Sequence, residues 1–200
     1  MKILLTGFEP FGERTVNTSY EAVMRVRDAD GFELKKACLP VTWGGAVEKL
    51  FSEIDGFRPD VIILCGLASG AEAIRVERVG INLRGAIKDN DGLYPEGDAP
   101  CESPIDVGGH DAYFSTFDCA KILGKLKDEG IPANYSFSAG TYICNLVLYS
   151  ALKKNKDEKT DRKIGFIHVP DATEFVGEGK RSMPLDAIVR AVGIAVYNCQ

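Results

Sequence analysis

The sequence has no long apolar run and no cluster of basic residues. A helix that crosses a membrane needs about 20 consecutive apolar residues, and this chain of 200 residues has no such stretch. It carries 24 lysines and arginines against 29 acidic residues, a net charge of −5, so a nucleic-acid partner is not expected. Strand-forming residues begin at Lys2, which leaves no room for a secretory leader. We therefore expect a cytoplasmic protein with neither a membrane nor a nucleic-acid partner.

The motifs of several kinds of site are also absent. The six cysteines are scattered and include no C-x-x-C pair, so we expect no structural zinc site and, in a reducing compartment, no disulfide framework. No phosphate loop of the G-x-x-x-x-G-K-[ST] type occurs, which argues against nucleotide chemistry. The chain has only two histidines, His110 and His168. His110 lies among glycines and is expected to be a loop residue without a chemical role.

Strand and helix patterns alternate along the chain. The continuous apolar run at residues 61–65 is typical of a strand buried on both faces of a parallel sheet, and residues 74–82 are predicted to form one strand. A capping box of Thr18 and Glu21 predicts a helix to about Arg27, followed by a turn at residues 28–31. A second helix is expected to stop at Gly56. The alternation predicts a single α/β domain over residues 1–200, a three-layer α/β/α sandwich around a twisted, mostly parallel sheet.

One long segment, residues 84–109, shows no clear periodicity. It is polar and rich in glycine, proline and aspartate. Loops of this length inside a compact domain are uncommon and usually functional. We expect a lid, an arm or a contact between subunits.

Cys144 is the first candidate for a chemical role. It follows a short strand pattern and begins a helical one, and the free N–H groups and dipole at a helix start stabilise a thiolate. His168 lies near the end of an apolar strand, where active sites of α/β sheets are found. A cysteine before apolar residues is more often a buried core thiol. The helix start and the histidine together favour a nucleophile and its base.

Glu77 is the third candidate. Strand alternation places its side chain on one face with Val79 and Ile81, where a buried carboxylate needs a partner. From the residues alone, two interpretations stay open. Glu77 either belongs to a catalytic group or forms half of a structural ion pair with Arg75 or another arginine.

Four blocks of the sequence, taken together and in order, resemble one known family. They are Thr6-Gly7-Phe8-Glu9-Pro10-Phe11-Gly12 with Asn17, Glu77-Arg78-Val79-Gly80-Ile81-Asn82, Gly140-Thr141-Tyr142-Ile143-Cys144-Asn145, and Gly165-Phe166-Ile167-His168-Val169-Pro170. Over nearly its whole length the chain resembles the pyroglutamyl peptidase I family, also called pyrrolidone carboxyl peptidases. The resemblance implies an α/β sandwich that needs no cofactor and assembles as a homo-oligomer, a tetramer or a dimer.

The resemblance also implies a reaction and its residues. Members remove the N-terminal pyroglutamyl residue from peptides through a Cys-His-Glu triad and a thioester. Carried over by motif, Cys144 is the nucleophile, His168 the general base and acid, and Glu77 the orienting carboxylate. The residues predicted to bind the substrate are Phe8, Phe11, Asn17, Leu67, Tyr142 and Ile143. Without the motif, Phe8 and Phe11 would be taken as anchors of the core or of a loop.

The chain departs from the family pattern at three places. Ala71 stands where many members have arginine, residues 85–90 lack the arginine of the usual Ala-Arg-Ile-Pro-Asp-Asn, and Asp171 stands where an aromatic residue is common. Arg75 and Arg84 are the candidates to replace the arginine near the reacting carbonyl. These departures motivate a second hypothesis, a weakly catalytic or inactive relative that keeps a lactam-binding pocket. The two hypotheses differ in whether function requires Cys144.

Overall fold

Strands and helices alternate along the chain, as the sequence predicts. The structure is a computed structural model and describes residues 1–27, 31–97 and 99–199. In chain order, the elements are β1 (Lys2–Phe8), α1 (Thr18–Arg25), β2 (Glu33–Leu39), α2 (Gly45–Phe57), β3 (Val61–Leu67), β4 (Ile74–Glu77), β5 (Val79–Ile81), β6 (Ala112–Phe114), α3 (Cys119–Asp128), β7 (Ala133–Ser136), α4 (Ile143–Asp157), β8 (Lys163–Val169), a 3₁₀ turn (Thr173–Phe175) and α5 (Leu185–Asn198).

Six strands form the main sheet, in the order β2-β1-β3-β8-β4-β7. The first four run parallel to one another, and β4 pairs with β8 in the antiparallel direction and with β7 in the parallel direction. Every residue of β3 is buried, as expected for a strand covered by helices on both faces. The predicted mostly parallel sheet is confirmed.

Two apolar layers cover the two faces of the sheet. Alternation along β1 sends Ile3 and Leu5 to one face and Leu4 to the other. The first face packs against α1, α3 and α5, and the second packs against α2 and α4. The three-layer α/β/α arrangement predicted from the sequence is therefore confirmed.

The single strand predicted at residues 74–82 is wrong. The chain forms β4 in the main sheet and then β5, which pairs with β6 in a separate two-stranded sheet. Arg78 lies at the break, where its N–H donates to Ser136 O and its C=O accepts from Ser115 N–H. Since the two strands belong to different sheets, alternation does not put Glu77 on one face with Val79.

Two predicted helix ends also need correction. Asn17, rather than Thr18, caps α1, because its Oδ1 accepts from Ser19 N–H at 3.0 Å, and α1 ends at Arg25. Thr18 Oγ1 instead accepts from Ala172 N–H at 3.1 Å. The second helix runs past Gly56 to Phe57, and Arg58 adopts the left-handed conformation that ends it. Most of the turn predicted at residues 28–31 lies outside the described residues.

The segment at residues 84–109 contains no helix or strand among its described residues. Its first part is held by Asp89, whose carboxylate accepts from the N–H groups of Trp43, Asp91 and Leu93. Asn90 Nδ2 donates to Pro10 O at 2.9 Å. The segment is thus tied to the loops that follow β1 and β2, and its role as a lid, an arm or a contact between subunits stays a prediction.

Two further observations concern the helices and the cysteines. None of the helices within the described ranges combines the length and the apolar character that crossing a membrane requires. All six cysteines are free.

Candidate active site

Cys144 is the second residue of α4 and faces the end of β3. Its sulfur lies against Gly66, where an added Cβ would come within 2.8 Å of Sγ and 2.6 Å of Phe166 Cζ. Such distances are shorter than real Cβ contacts, so a glycine is needed here to admit the sulfur. Gly66 pairs in register with His168 on β8, which brings the thiol and the imidazole to the same edge of the sheet.

His168 bonds Glu77 on the neighbouring antiparallel strand. The imidazole Nδ1 lies 2.7 Å from Glu77 Oε1, and the two residues are 7% and 0% exposed. Among the described residues no arginine forms an ion pair with Glu77. The interpretation of Glu77 as half of an arginine ion pair is therefore wrong, and its partner is His168.

The electrostatics of this group favour a charged imidazole. Burial alone would lower the pKa of His168, but the charge of Cys144, a side-chain hydrogen bond with it, and the Glu77 carboxylate raise this pKa to about 9. His168 therefore carries its proton at neutral pH, next to the Glu77 carboxylate.

Two neighbouring residues, Phe166 and Asn145, fix the group in place. The ring of Phe166 packs 4.6 Å from the imidazole of His168, measured between centroids. Asn145, which is fully buried, accepts from Ile81 N–H at 2.9 Å and donates to Ile81 O and Leu83 O at 2.9 and 3.0 Å. These three bonds hold the first turn of α4, and with it Cys144, against β5.

A small cavity adjoins the sulfur. It is lined by Phe8, Phe11, Asn17, Val41, Leu67, Tyr142, Ile143 and Cys144. All six residues predicted to bind substrate lie on it, although their binding role stays a prediction. The cavity measures about 50 Å³, room for roughly three to five water molecules at about 10–15 Å³ each.

Two residues of this lining, Asn17 and Val41, depart from the sequence-based prediction. The amide of Asn17 is largely engaged inside the protein, since Oδ1 caps α1 and Nδ2 donates to Glu9 O at 2.9 Å. Val41 was missed by the sequence reasoning. Val41 lies two residues after the end of β2, at the same edge of the sheet as Leu67, where β3 ends. This position is the sequence signal that could have identified Val41 as a lining residue.

The two arginines considered as replacements are engaged elsewhere or exposed. Arg84 pairs with Glu96 and donates to Pro104 O, and Arg75 is exposed on β4. Neither lines the small cavity. A different arginine, Arg14, lies with its guanidinium 5.8 Å from the ring centroid of Phe11. The sequence signal for it is Asp171, an acid three residues after His168 that needs a partner.

His110 lies apart from this group. It is exposed and packs edge-on against Tyr113, with the ring centroids 5.6 Å apart. Its backbone carbonyl accepts from the Tyr149 hydroxyl. These contacts agree with the expected loop residue.

The sequence model of the family described as pyroglutamyl peptidase matches residues 1–200. The chain belongs to the pyroglutamyl peptidase family. Among its relatives, the pyrrolidone-carboxylate peptidase of Thermococcus onnurineus is 42% identical over 199 residues, spanning 98% of this chain and 97% of that protein. Pyrrolidone-carboxylate peptidase 1 of Caldanaerobacter subterraneus subsp. tengcongensis is 40% identical over 200 residues, with 98% and 96% covered.

A solved structure of this family has the same fold. Pyroglutamyl peptidase I of Bacillus amyloliquefaciens superposes with a TM-score of 0.91 at 36% identity, covering 99% of this chain and 96% of that one. Membership in the pyroglutamyl peptidase family confirms both the resemblance stated from the motifs and the predicted class of protein, a hydrolase. The roles of the individual residues stay predictions.

Proposed function

We propose that this protein hydrolyses the N-terminal pyroglutamyl residue from peptides, with Cys144 as nucleophile, His168 as general acid and base, and Glu77 as the orienting carboxylate. The observation that carries the proposal is the buried bond between Glu77 and His168, with the Cys144 sulfur packed against Gly66, the register partner of His168, beside a small apolar cavity. Nucleophile, base and orienting group in hydrogen-bond sequence are the signature of covalent catalysis.

In the first half-reaction, the Cys144 thiolate attacks the carbonyl carbon of the pyroglutamyl residue, and a C–S bond forms. His168 gives its proton to the leaving nitrogen as the C–N bond breaks, which leaves a thioester and a free peptide amine. In the second half-reaction, His168 takes a proton from water, and the resulting hydroxide attacks the thioester. The C–S bond breaks, pyroglutamate leaves, and the thiolate returns.

The start of α4 supplies donors for the developing oxyanion. The first four N–H groups of a helix have no partner within the helix, and Cys144 lies in this first turn. Because these groups are held rigidly by the Asn145 bonds, they need no reorganisation as charge develops.

The small cavity suits the proposed substrate. Pyroglutamate is a flat, uncharged lactam, and most of the lining side chains are apolar or aromatic. The size of the cavity favours a small ring over a long side chain. Glu77 and His168 are not part of this lining, so a bound lactam ring would contact the Cys144 sulfur and mostly apolar side chains.

A second candidate function is a lactam-binding relative with weak or no catalysis. The observation that favours it is the lack of an arginine at Ala71, with Arg75 and Arg84 both absent from the cavity lining. In that case ligand affinity would barely change in Cys144→Ala. The full triad geometry favours the peptidase over this alternative.

Assembly and location follow as further proposals. A homo-oligomer, a tetramer or a dimer, is supported by exposed aromatic side chains, since Phe114 and Phe137 are 66% and 68% exposed and exposed apolar surface favours association. Sedimentation equilibrium tests it, and a monomer at micromolar concentration would contradict it. Action in the cytoplasm is tested by cell fractionation.

The proposed activity is tested by release of a fluorogenic amine from a pyroglutamyl conjugate, with a prolyl conjugate as control. We expect turnover of the lactam conjugate alone and its loss in Cys144→Ala. A folded, fully reduced protein without turnover would shift the conclusion to the lactam-binding relative.

A further inference from the structure

A second cavity is lined by residues of the loops that follow β1, β3 and β8, at the same edge of the sheet as the small one. It measures about 510 Å³, against about 50 Å³ for the cavity at Cys144. Its lining includes Arg14, Ser69, Gly70, Asp171, Lys180 and Arg181. The proposed triad uses none of these residues.

The wall of this cavity is built around a buried carboxylate. Asp171 is only 4% exposed, and it accepts from Arg14 Nη1 at 2.7 Å, Ser69 Oγ at 2.9 Å and Gly70 N–H at 3.0 Å. Arg14 Nη2 also donates to Ser69 Oγ at 2.7 Å. Burial raises the pKa of Asp171, but the hydrogen bonds of the carboxylate to Gly70 and Ser69 and the charge of Arg14 hold this pKa below the ordinary value of an aspartate. Arg14 is therefore a fixed cation.

The same loops connect this cavity to the candidate active site. Arg14 lies over the ring of Phe11, which lines the small cavity. Ser69 follows Leu67 of that lining by two residues, and Asp171 follows His168 by three. A lactam held in the small cavity leaves the rest of its peptide to extend outward, and the larger cavity is the adjoining space.

The charges in this cavity are predominantly positive, although the whole chain carries −5. Of its three basic side chains, Arg14 pairs with Asp171 and Arg181 pairs with Glu72. Lys180 forms no ion pair within the part of the chain that the structure describes. A guanidinium has five N–H donors, and Asp171 and Ser69 use two of those on Arg14, so donors remain for a ligand.

We propose that this cavity is the subsite for the peptide that follows pyroglutamate, where Arg14 and Lys180 recognise a carboxylate. The carboxylate comes either from an acidic side chain or from the free C-terminus of a short peptide. This inference rests on the proposed function, because it names the substrates that the same site prefers. An arginine fixed by a buried acid presents its remaining donors without further loss of side-chain entropy, which favours binding.

The test compares three dipeptides of pyroglutamate that differ only in charge. Pyroglutamyl-glutamine amide has no carboxylate, pyroglutamyl-glutamate amide has one on the side chain, and pyroglutamyl-glutamine has one at the C-terminus. We expect kcat/KM to be higher by at least about threefold for one or both charged peptides, within the range of a partly exposed charge pair. The charged peptide with the higher kcat/KM identifies the source of the carboxylate, either the side chain or the C-terminus.

Variants assign the effect to residues. The ratio of charged to uncharged kcat/KM is expected to fall toward one in Lys180→Gln and in Arg14→Gln, and to be kept in Lys156→Gln, an exposed lysine in the last turn of α4. Because the ratio is taken within each variant, a smaller fraction of folded protein lowers both kcat/KM values equally and leaves their ratio unchanged. An unchanged ratio in both Lys180→Gln and Arg14→Gln overturns the proposal, as does a ratio of one in the unmodified protein.

A binding measurement separates this inference from the proposed function. Dissociation constants of the three dipeptides are measured by calorimetry on Cys144→Ala, which holds them uncleaved. Carboxylate-dependent affinity without turnover by the unmodified protein would keep the subsite and refute the peptidase. Turnover with equal affinities and equal kcat/KM values for the three dipeptides would keep the peptidase and refute the subsite. The absence of both turnover and carboxylate-dependent affinity would refute both proposals.

Discussion

His168 Nδ1 lies 2.7 Å from Glu77 Oε1, across the antiparallel pairing of β8 and β4. Among the described strands of the main sheet, this is the one antiparallel pairing. The reversal brings a carboxylate from the neighbouring strand to the imidazole. The arrangement predicts that Glu77 acts through His168 and not on the substrate directly.

Replacing Glu77 with glutamine keeps the shape of the side chain and removes its charge. We expect kcat to fall by about 100-fold or more, because an amide neither stabilises the imidazolium nor fixes its tautomer, while KM changes little. Steady-state kinetics on the pyroglutamyl conjugate measure this. Glu33→Gln, at an exposed position of β2, serves as the matched control, and an equal loss in both variants would contradict the role.

The protonation of His168 is directly measurable, since the chain has only two histidines. Nitrogen-15 NMR of the imidazole rings is expected to show His168 titrating near its pKa of about 9. Replacing either Cys144 or Glu77 removes a group that raises this pKa, so Cys144→Ala and Glu77→Gln are expected to lower it. A pKa unchanged in both variants would mean that the two groups do not act on the imidazole.

The same shift has a consequence for stability. The pKa of His168 in the folded state, about 9, lies above the value of 6.5 for an unperturbed histidine. The stabilisation from the charged imidazole is therefore complete below about pH 6.5 and is lost as the pH rises through 9. Urea unfolding at pH 6 and pH 9 should show the free-energy gap between the unmodified protein and Glu77→Gln narrowing at the higher pH.

Gly66 is expected to tolerate no side chain. A Cβ there would come within 2.6 Å of Phe166 Cζ and 2.8 Å of Cys144 Sγ, so Gly66→Ala must displace the ring or the sulfur. We expect a loss of activity of at least about tenfold, since small misplacements in an active site are costly, and slower alkylation of Cys144 by iodoacetamide. Gly56→Ala, where an added Cβ meets nothing within 4 Å, is expected to keep full activity.

Asn145 is expected to matter for stability and activity together. Asn145→Ala removes three hydrogen bonds and leaves two carbonyls and one N–H of the segment at Ile81 and Leu83 without partners. At about 1 kcal/mol for each bond, the free energy of unfolding should fall by about 3 kcal/mol. Urea unfolding tests this, with the exposed Asn134→Ala as control. A loss as small as that of the control would show that α4 is positioned by its apolar face alone.

Local patterns were enough to predict the layers of this fold, whereas the roles of Glu77 and of the substrate-binding residues came from the family resemblance. The apolar run of β3 and the helix start at Cys144 are local signals, and the structure agrees with both. The break at Arg78 was not predictable in this way, because it depends on hydrogen bonds to Ser115 and Ser136, far away in the sequence. The bond between Arg14 and Asp171 joins residues 157 positions apart, and it was missed for the same reason.

In the proposed mechanism, Cys144 becomes acylated by pyroglutamate. The direct test is to quench a reaction with a pyroglutamyl ester in acid within milliseconds and to analyse the peptides of the protein by mass spectrometry. We expect a pyroglutamyl group on Cys144 that disappears as hydrolysis proceeds and is absent when Cys144→Ala is used. Turnover of the ester with no adduct on Cys144, or with an adduct on another residue, would contradict it.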